Sequence, residues 1–332
     1  MNEKDWIRKK LRNTGRGCVL WPMSFVFFMV GCSVSKMYQD ALETKARTHG
    51  LEEHWFEIGD TRIHYWKGGE GPPLLILHGF GGNGLRTWAR QLRSLAEKRT
   101  IIVPDLIFFG QSHSDSPPSL ELQSTSFLAL LRHLGMQQVD VMGISYGGFV
   151  TMEMKRTAQA DEMGRIIVID SPGGHFDEEE EAAMLQRFGV TDPKDIFVPQ
   201  DWRAVRRLIG LVFYRPPYMP SWVYRDVKNE IFNQNQDSHY VLLSELRGRE
   251  KDFFDMDWSQ VEALVVWGSE DQVFPQALGE ELAATLEADF VPFEEAAHGP
   301  NMEHPKRFNQ LVLEWLEAGD ESSGEEASAP ID

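Results

Sequence analysis

Ser145 lies at the centre of Gly143-Ile144-Ser145-Tyr146-Gly147, between the apolar run 139–144 and a segment of helical character ending near residue 160. A serine between glycines at this spacing suits a sharp strand-to-helix turn that exposes its hydroxyl. The positions two before and two after must be minimal, because any side chain there would strike the neighbouring strand or helix. A serine hydroxyl needs a base to remove its proton, and imidazole is matched to that task near neutral pH. The imidazole in turn needs a carboxylate on its other nitrogen. Two late segments supply such groups. Trp267-Gly268-Ser269-Glu270-Asp271 follows one apolar run, and Ala297-His298-Gly299 follows another at 290–293. The expected set is therefore Ser145, Asp271 and His298. Asp170, which follows the run 166–169, is a rival acid, but it also suits the turn that opens the next segment. Glu270 is a weaker rival. His113, His175, His239 and His304 are expected at the surface or in a pocket wall.

Further motifs precede the serine. His78-Gly79-Phe80-Gly81-Gly82 follows an apolar run at 74–77, and Asp105, Gly110 and Ser112 make a D-x-x-x-x-G-x-S pattern after the run 101–103. Together with the order Ser145…Asp271…His298, these residues resemble the α/β-hydrolase family across residues 54–316, with one interruption. The resemblance implies that the backbone N–H groups of Phe80 and Tyr146 hold a developing oxyanion, and that His78 and Gly79 are structural parts of that loop. It also implies that Asp105, Gly110 and Ser112 shape a loop beside the pocket. Within the family the sequence is similar to bacterial lipases and carboxylesterases. The expected reaction is therefore hydrolysis of carboxylic esters, from small-molecule or lipid substrates, through an acyl-serine intermediate. Carbon–carbon or amide hydrolysis by the same triad is the alternative. No cofactor or metal is expected.

Two readings from other classes compete. Gly79-Phe80-Gly81-Gly82-Asn83-Gly84 satisfies G-x-G-x-x-G, and Asp105 stands about 20 residues on, as in an NAD-binding oxidoreductase. The strand-like hairpin ahead of the glycines and the full Ser, Asp, His series behind them count against it. A non-catalytic binding module of the same fold is the other competitor, and the presence of all three triad candidates counts against that.

These residues require a particular frame. Residues 54–58 and 62–67 flank Gly59-Asp60, a two-residue hairpin signal. Short apolar runs at 74–77, 101–103, 139–144, 166–169 and 264–267 have the character of strands buried on both faces. Phe127, Leu131 and Leu134 share one helical face, and Phe308, Leu311, Val312 and Trp315 another. The alternation predicts an α/β fold with a mostly parallel sheet opened by an antiparallel hairpin. The core is expected at 54–171 and 258–318, and a helical cap at 172–257, where no buried strand is evident. The cap's aromatics, among them Trp202, Phe213, Tyr214 and Trp222, are expected to line the substrate pocket.

The ends of the chain differ in character from its body. Lys4, Arg8, Lys9, Lys10, Arg12 and Arg16 precede an apolar stretch at 19–30 that closes on Met29-Val30-Gly31-Cys32. This resembles the signal segment of bacterial lipoproteins, with residues 1–31 removed and Cys32 lipidated. It implies a membrane anchor in the bacterial cell envelope, and Ser33 favours the outer membrane. Residues 32–53 are then expected to be a tether and 319–332 an acidic, disordered tail. Cys18 and Cys32 are the only cysteines, so no disulfide can staple the body. The formal charge of −18 argues against nucleic acid as the main partner.

Overall fold

In the computed structural model, residues 33–328 are described. The expected signal segment 1–31 and the lipidation site Cys32 lie outside them. Nine strands form one sheet. β1 (Leu51–Ile58) and β2 (Thr61–Gly68) make the antiparallel hairpin around Gly59-Asp60. β3 (Pro73–Leu77), β4 (Thr100–Pro104), the short β5 (His113–Ser114), β6 (Val139–Ile144), β7 (Met163–Ile169), β8 (Ala263–Gly268) and β9 (Asp289–Phe293) follow. The spatial order is β1-β2-β4-β3-β6-β7-β8-β9, with β5 paired to β2. The six strands from β4 to β9 in that order run parallel. The α/β class expected from the apolar runs is the one observed.

The runs are continuous because both faces of the sheet are covered. Successive side chains of a strand point to opposite faces. Leu75 and Leu77 enter one core cluster, and Leu74 and Ile76 the other. Val265 and Trp267 divide from Leu264 and Val266 in the same way. Phe127 and Leu131, on the helix Leu120–His133, fill the first cluster. Phe308, Val312 and Leu316, on the helix Pro305–Ser328, fill the second. Each of these fully buried side chains contributes about 1.5–3 kcal/mol by leaving water.

Between β7 and β8 the chain forms helices only, among them Glu178–Phe188, Trp202–Val212, Ser221–Ile231 and Gln236–Glu245. Asp177 and Asp201 begin the first two, each accepting two backbone N–H groups at the helix N-terminus. Two parts of this segment pack differently. Phe176, Met184, Ile196 and Leu242 join the main core, whereas Val205, Tyr224 and Phe232 form a small core of their own with Trp202 beside it.

Both terminal expectations need correction. Residues 34–48, placed in the tether, form the helix Val34–Thr48. Its Leu42 and Ala46 are buried in a cluster with Leu51, Trp66 and Trp88, and β1 starts at Leu51, inside the expected tether. The helix is polar on average, and tertiary contact supplies the stability that propensity does not. At the other end, Gly319 and Asp320 belong to the last helix rather than to a disordered tail. Asp320 is held by ion pairs to Arg99 and Arg165.

Candidate active site

Parallel strands collect their carboxyl ends along one edge, and the expected site residues all lie there. Ser145 follows β6, Asp170 follows β7, Asp271 follows β8 and His298 follows β9. Ser145 has φ 54° and ψ −122°, a conformation that costs an L-residue of order 1–3 kcal/mol. Its N–H donates to the Ile169 carbonyl at 2.8 Å, and its own carbonyl accepts from Gly148 N–H at 2.8 Å. These bonds hold the turn in place. The flanking glycines are sterically required. A Cβ on Gly143 would lie 2.1 Å from the Gly147 carbonyl oxygen, and one on Gly147 would lie 2.5 Å from the His78 carbonyl oxygen.

His298 Nδ1 and Asp271 Oδ2 are 2.7 Å apart, within the range of a charge-assisted hydrogen bond. The Asp271 side chain is fully enclosed. Its Oδ1 accepts the backbone N–H groups of Val273 at 2.7 Å and Phe274 at 3.2 Å, which fixes the carboxylate's direction. The Phe274 ring packs edge-on against the imidazole. Among the described residues, His298 Nε2 makes no hydrogen bond, so it is the ring atom available to a reacting hydroxyl. Glu270 points to solvent.

Asp170 is closer to this chemistry than a plain turn residue would be. It has φ 45°, is fully buried, and accepts the Gly268 N–H at 2.8 Å through Oδ1. Its Oδ2 has no hydrogen-bond partner. Asp170, Asp271 and His298 bring one ligand atom each within 4.8 Å of one another, the single group of that kind among the described residues. Burial and then the negative charge of Asp271 hold the Asp170 carboxyl well above the usual carboxylate range. The three could be considered as metal ligands. However, the 2.7 Å contact between Asp271 and His298 is the length of a hydrogen bond and leaves no room for an ion between them.

The loop expected to hold the oxyanion stands opposite. Gly79 approaches the nucleophile so closely that an added Cβ would be 3.2 Å from Ser145 Cβ. Tyr146 opens the helix Tyr146–Thr157, where backbone N–H groups have no partner within the helix. His78 is structural in form: it is buried, its Nδ1 meets the Gly79 carbonyl at 2.7 Å and its Nε2 accepts from Leu106 N–H at 2.9 Å. Burial lowers its pKa, which keeps the ring neutral and able to accept.

Asp105, Gly110 and Ser112 form one knot. Asp105 Oδ1 accepts from Gly84 N–H at 2.9 Å. Its Oδ2 accepts from Gln111 N–H and meets His64 Nδ1, each at 2.9 Å. Ser112 Oγ donates to the Asp105 carbonyl. A Cβ on Gly110 would collide with the Asp105 carboxylate at 2.2 Å. Both oxygens of Asp105 are thus engaged internally, where a dinucleotide fold would need that acid for a ribose. His64 has a second carboxylate partner, Glu53, at 3.0 Å from Nε2. Burial opposes a charge on His64, but the two carboxylates outweigh it and raise its pKa. The alternation along β2 carried no signal for that pair.

The cap reaches the site with few of the expected aromatics. Phe197 and His239 flank Phe80, and the Phe232 ring lies against Gly81. The Leu211 carbonyl accepts a long bond from His298 N–H. His239 stacks on Phe109 and its Nε2 meets the Phe108 carbonyl; burial lowers its pKa to about 4. Trp202 packs beside the cap's own core, whereas Tyr214 and Trp222 are exposed. Those positions correct the expectation that these three line the pocket: the cap helices bury one face against each other, which leaves Trp222 on the outward face and Tyr214 in the exposed loop between them.

A family model described as alpha/beta hydrolase fold matches residues 72–305. The chain belongs to the α/β-hydrolase fold family. Its relatives diverge in activity. The chain is 27% identical to the dihydrolipoyllysine-residue acetyltransferase component of the acetoin cleaving system of Pseudomonas putida, over 82% of this chain and 68% of that protein. It is 28% identical to Lipase 1 of Psychrobacter immobilis, over 74% of this chain and 77% of that one. It is 24% identical to 2-hydroxymuconate semialdehyde hydrolase of Pseudomonas sp. strain CF600, over 78% and 91%. Among solved structures, a bacterial membrane phospholipase A superposes with a TM-score of 0.73 at 21% identity, over 86% of this chain and 91% of that one. The fold, the lipase and the semialdehyde hydrolase support a hydrolase.

Proposed function

We propose that this protein hydrolyses carboxylic esters through an acyl-serine intermediate. The observation that carries the reading is the 2.7 Å bond between His298 and an enclosed Asp271, at the sheet edge where Ser145 is held in a strained turn. Ser145 Oγ attacks the ester carbonyl while His298 Nε2 takes its proton. Asp271 stabilises the resulting imidazolium. The N–H groups of Phe80 and Tyr146 donate to the oxyanion, as pre-aimed donors that need no reorganisation during the reaction. The imidazolium then protonates the departing alcohol, and water repeats the cycle to release the acid. The lipase relative supports this substrate class. A second reading, carbon–carbon bond hydrolysis by the same three residues, is favoured by the semialdehyde hydrolase relative.

The decisive experiment combines a fluorophosphonate probe with p-nitrophenyl esters of increasing chain length. Ester turnover with labelling at Ser145 is expected. Labelling without turnover of any ester would overturn the ester reading in favour of the second. Failure to label Ser145 in folded protein would overturn both.

Location is part of the same proposal. Cys32 carries the lipid that anchors the enzyme in a bacterial envelope membrane, the outer one by the residue at position 33. Mass spectrometry of the mature N-terminus tests this; membrane-bound protein that still begins at Met1 would overturn it.

A further inference from the structure

The protein is strongly acidic, yet residues 202–225 contain five arginines and no carboxylate. Arg203, Arg206 and Arg207 share the exposed face of the helix Trp202–Val212, because residues three and four apart are neighbours on a helix. Its other face, with Val205, Leu208 and Ile209, packs into the small cap core. Arg225, on the helix Ser221–Ile231, comes to the same place: its guanidinium and that of Arg203 lie 5.6 and 4.5 Å from the Trp202 ring. Among the described residues, Arg203, Arg206, Arg207 and Arg225 form no salt bridge. Asp201 and Asp226 bound the stretch: Asp201 caps the helix with Oδ1, and Asp226 Oδ2 accepts the Ser35 N–H. Arg215 alone of the five is paired, with Glu295.

Two aromatic rings of the same stretch have little to cover them. Tyr218 is 93% exposed and Trp222 is 55% exposed. Pro216, Pro217 and Pro220 flank Tyr218 and stiffen the loop that presents it. Trp222 is one turn from Arg225 on its helix. Tyrosine and tryptophan at the level of lipid headgroups, with arginines between them, are the composition that suits a membrane–water interface. Another cap helix, Glu178–Phe188, opens with four glutamates, and Asp226 and Glu230 follow Arg225 on its own helix.

We infer that the Trp202–Arg225 face of the cap docks on an anionic lipid surface, with Tyr218 and Trp222 entering the headgroup layer. The arginines supply attraction to lipid phosphates, and the two rings supply the short-range grip. The inference rests neither on ester chemistry nor on the anchor at Cys32. It gives the cap a fixed orientation at the membrane.

The test uses the full-length chain with Cys18→Ser and Cys32→Ser, and a single environment-sensitive fluorophore on Tyr218→Cys. Vesicles of equimolar phosphatidylcholine and phosphatidylglycerol should shift the emission to the blue, and phosphatidylcholine alone should not. Adding Arg203→Glu, Arg206→Glu and Arg207→Glu should abolish the shift, with each arginine worth about fivefold in partitioning. Circular dichroism and turnover of a soluble ester check that the variant is folded. A fluorophore that stays water-exposed on anionic vesicles would overturn the inference, even if the N-terminus holds the protein there. So would a shift that survives the three reversals, or one produced by polyaspartate and not by vesicles, which would make the partner an acidic protein. Loss of ester turnover with the lipid shift intact would sink the hydrolase reading and leave this one standing.

Discussion

The sheet carries a buried polar cluster at each end, and the two are built on opposite terms. At the amino edge, Arg99 and Arg165 meet Asp140 and Asp320. Asp140 accepts from Arg165 at 2.7 and 3.1 Å and from Arg99 at 3.2 Å. Arg165 also donates to the Leu316 carbonyl, which ties the last helix to the sheet. Every carboxylate there faces a guanidinium. At the carboxyl edge, Asp271 bonds the one histidine, while Asp170 stands near both and keeps a buried oxygen without a partner. A matched buried cluster stabilises and orients; an unmatched one holds groups away from their relaxed protonation states, which is the condition for proton transfer near neutral pH. Charge matching thus produces a clamp in one place, and its lack a reactive site in the other.

Substitutions can break this contrast. The largest effect is expected for Ser145→Ala, which should lower kcat for ester hydrolysis on the order of 10⁴ to 10⁶ while leaving the melting temperature near that of the parent. Asp271→Asn should come next, with kcat down by about 10³ to 10⁴, because the amide favours the wrong imidazole tautomer. Steady-state kinetics on one soluble ester measures both. At the opposite edge the pattern should invert. Asp140→Ala leaves two buried guanidinium groups short of a partner and should cost about 3–5 kcal/mol in denaturant unfolding, with kcat of the folded enzyme unchanged. A large kcat loss from Asp140→Ala in well-folded protein would erase the contrast.

The smallest and most discriminating case is Asp170→Asn. Its carboxyl has a folded-state pKa above the unfolded value, so the native state holds the proton more tightly. The stability it contributes is full below the unfolded pKa, near 4, and is lost as pH rises towards the folded pKa. The amide resembles the neutral acid and does not ionise. The variant should therefore match the parent at low pH and lose less stability as pH rises, by less than the Asp140→Ala effect. Thermal melts across a pH series check this. A parent and variant that run parallel at every pH would show that Asp170 is not held protonated. Loss of turnover in folded Asp170→Asn, with turnover kept in Asp271→Asn, would move the orienting acid to β7.

The elements differ in how far they were legible beforehand. The elbow at Ser145 was visible because its constraint is local: Gly143 and Gly147 meet backbone atoms a few residues away or on the adjacent strand, and only glycine fits. The parallel strands were visible because burial on both faces leaves an unbroken apolar run, as at Leu74 to Leu77. The helix Val34–Thr48 was not, since its two buried apolar residues, Leu42 and Ala46, are too few to mark a face. The cap aromatics were assigned by type, and type does not say which side of a helix pair becomes the inside.

The sequence by itself determined the class of fold, the turn that exposes Ser145 and the chain order of serine, acid and base. These follow from steric fit and apolar periodicity over short stretches. Only the tertiary structure decided which carboxylate meets His298, that Asp170 stands beside it with an unpartnered oxygen, and that Trp222 faces out while Phe232 faces in. Those outcomes depend on how strands β6 to β9 align and how cap helices pair. Residues separated by scores of positions meet there, and no local pattern in the chain records the meeting.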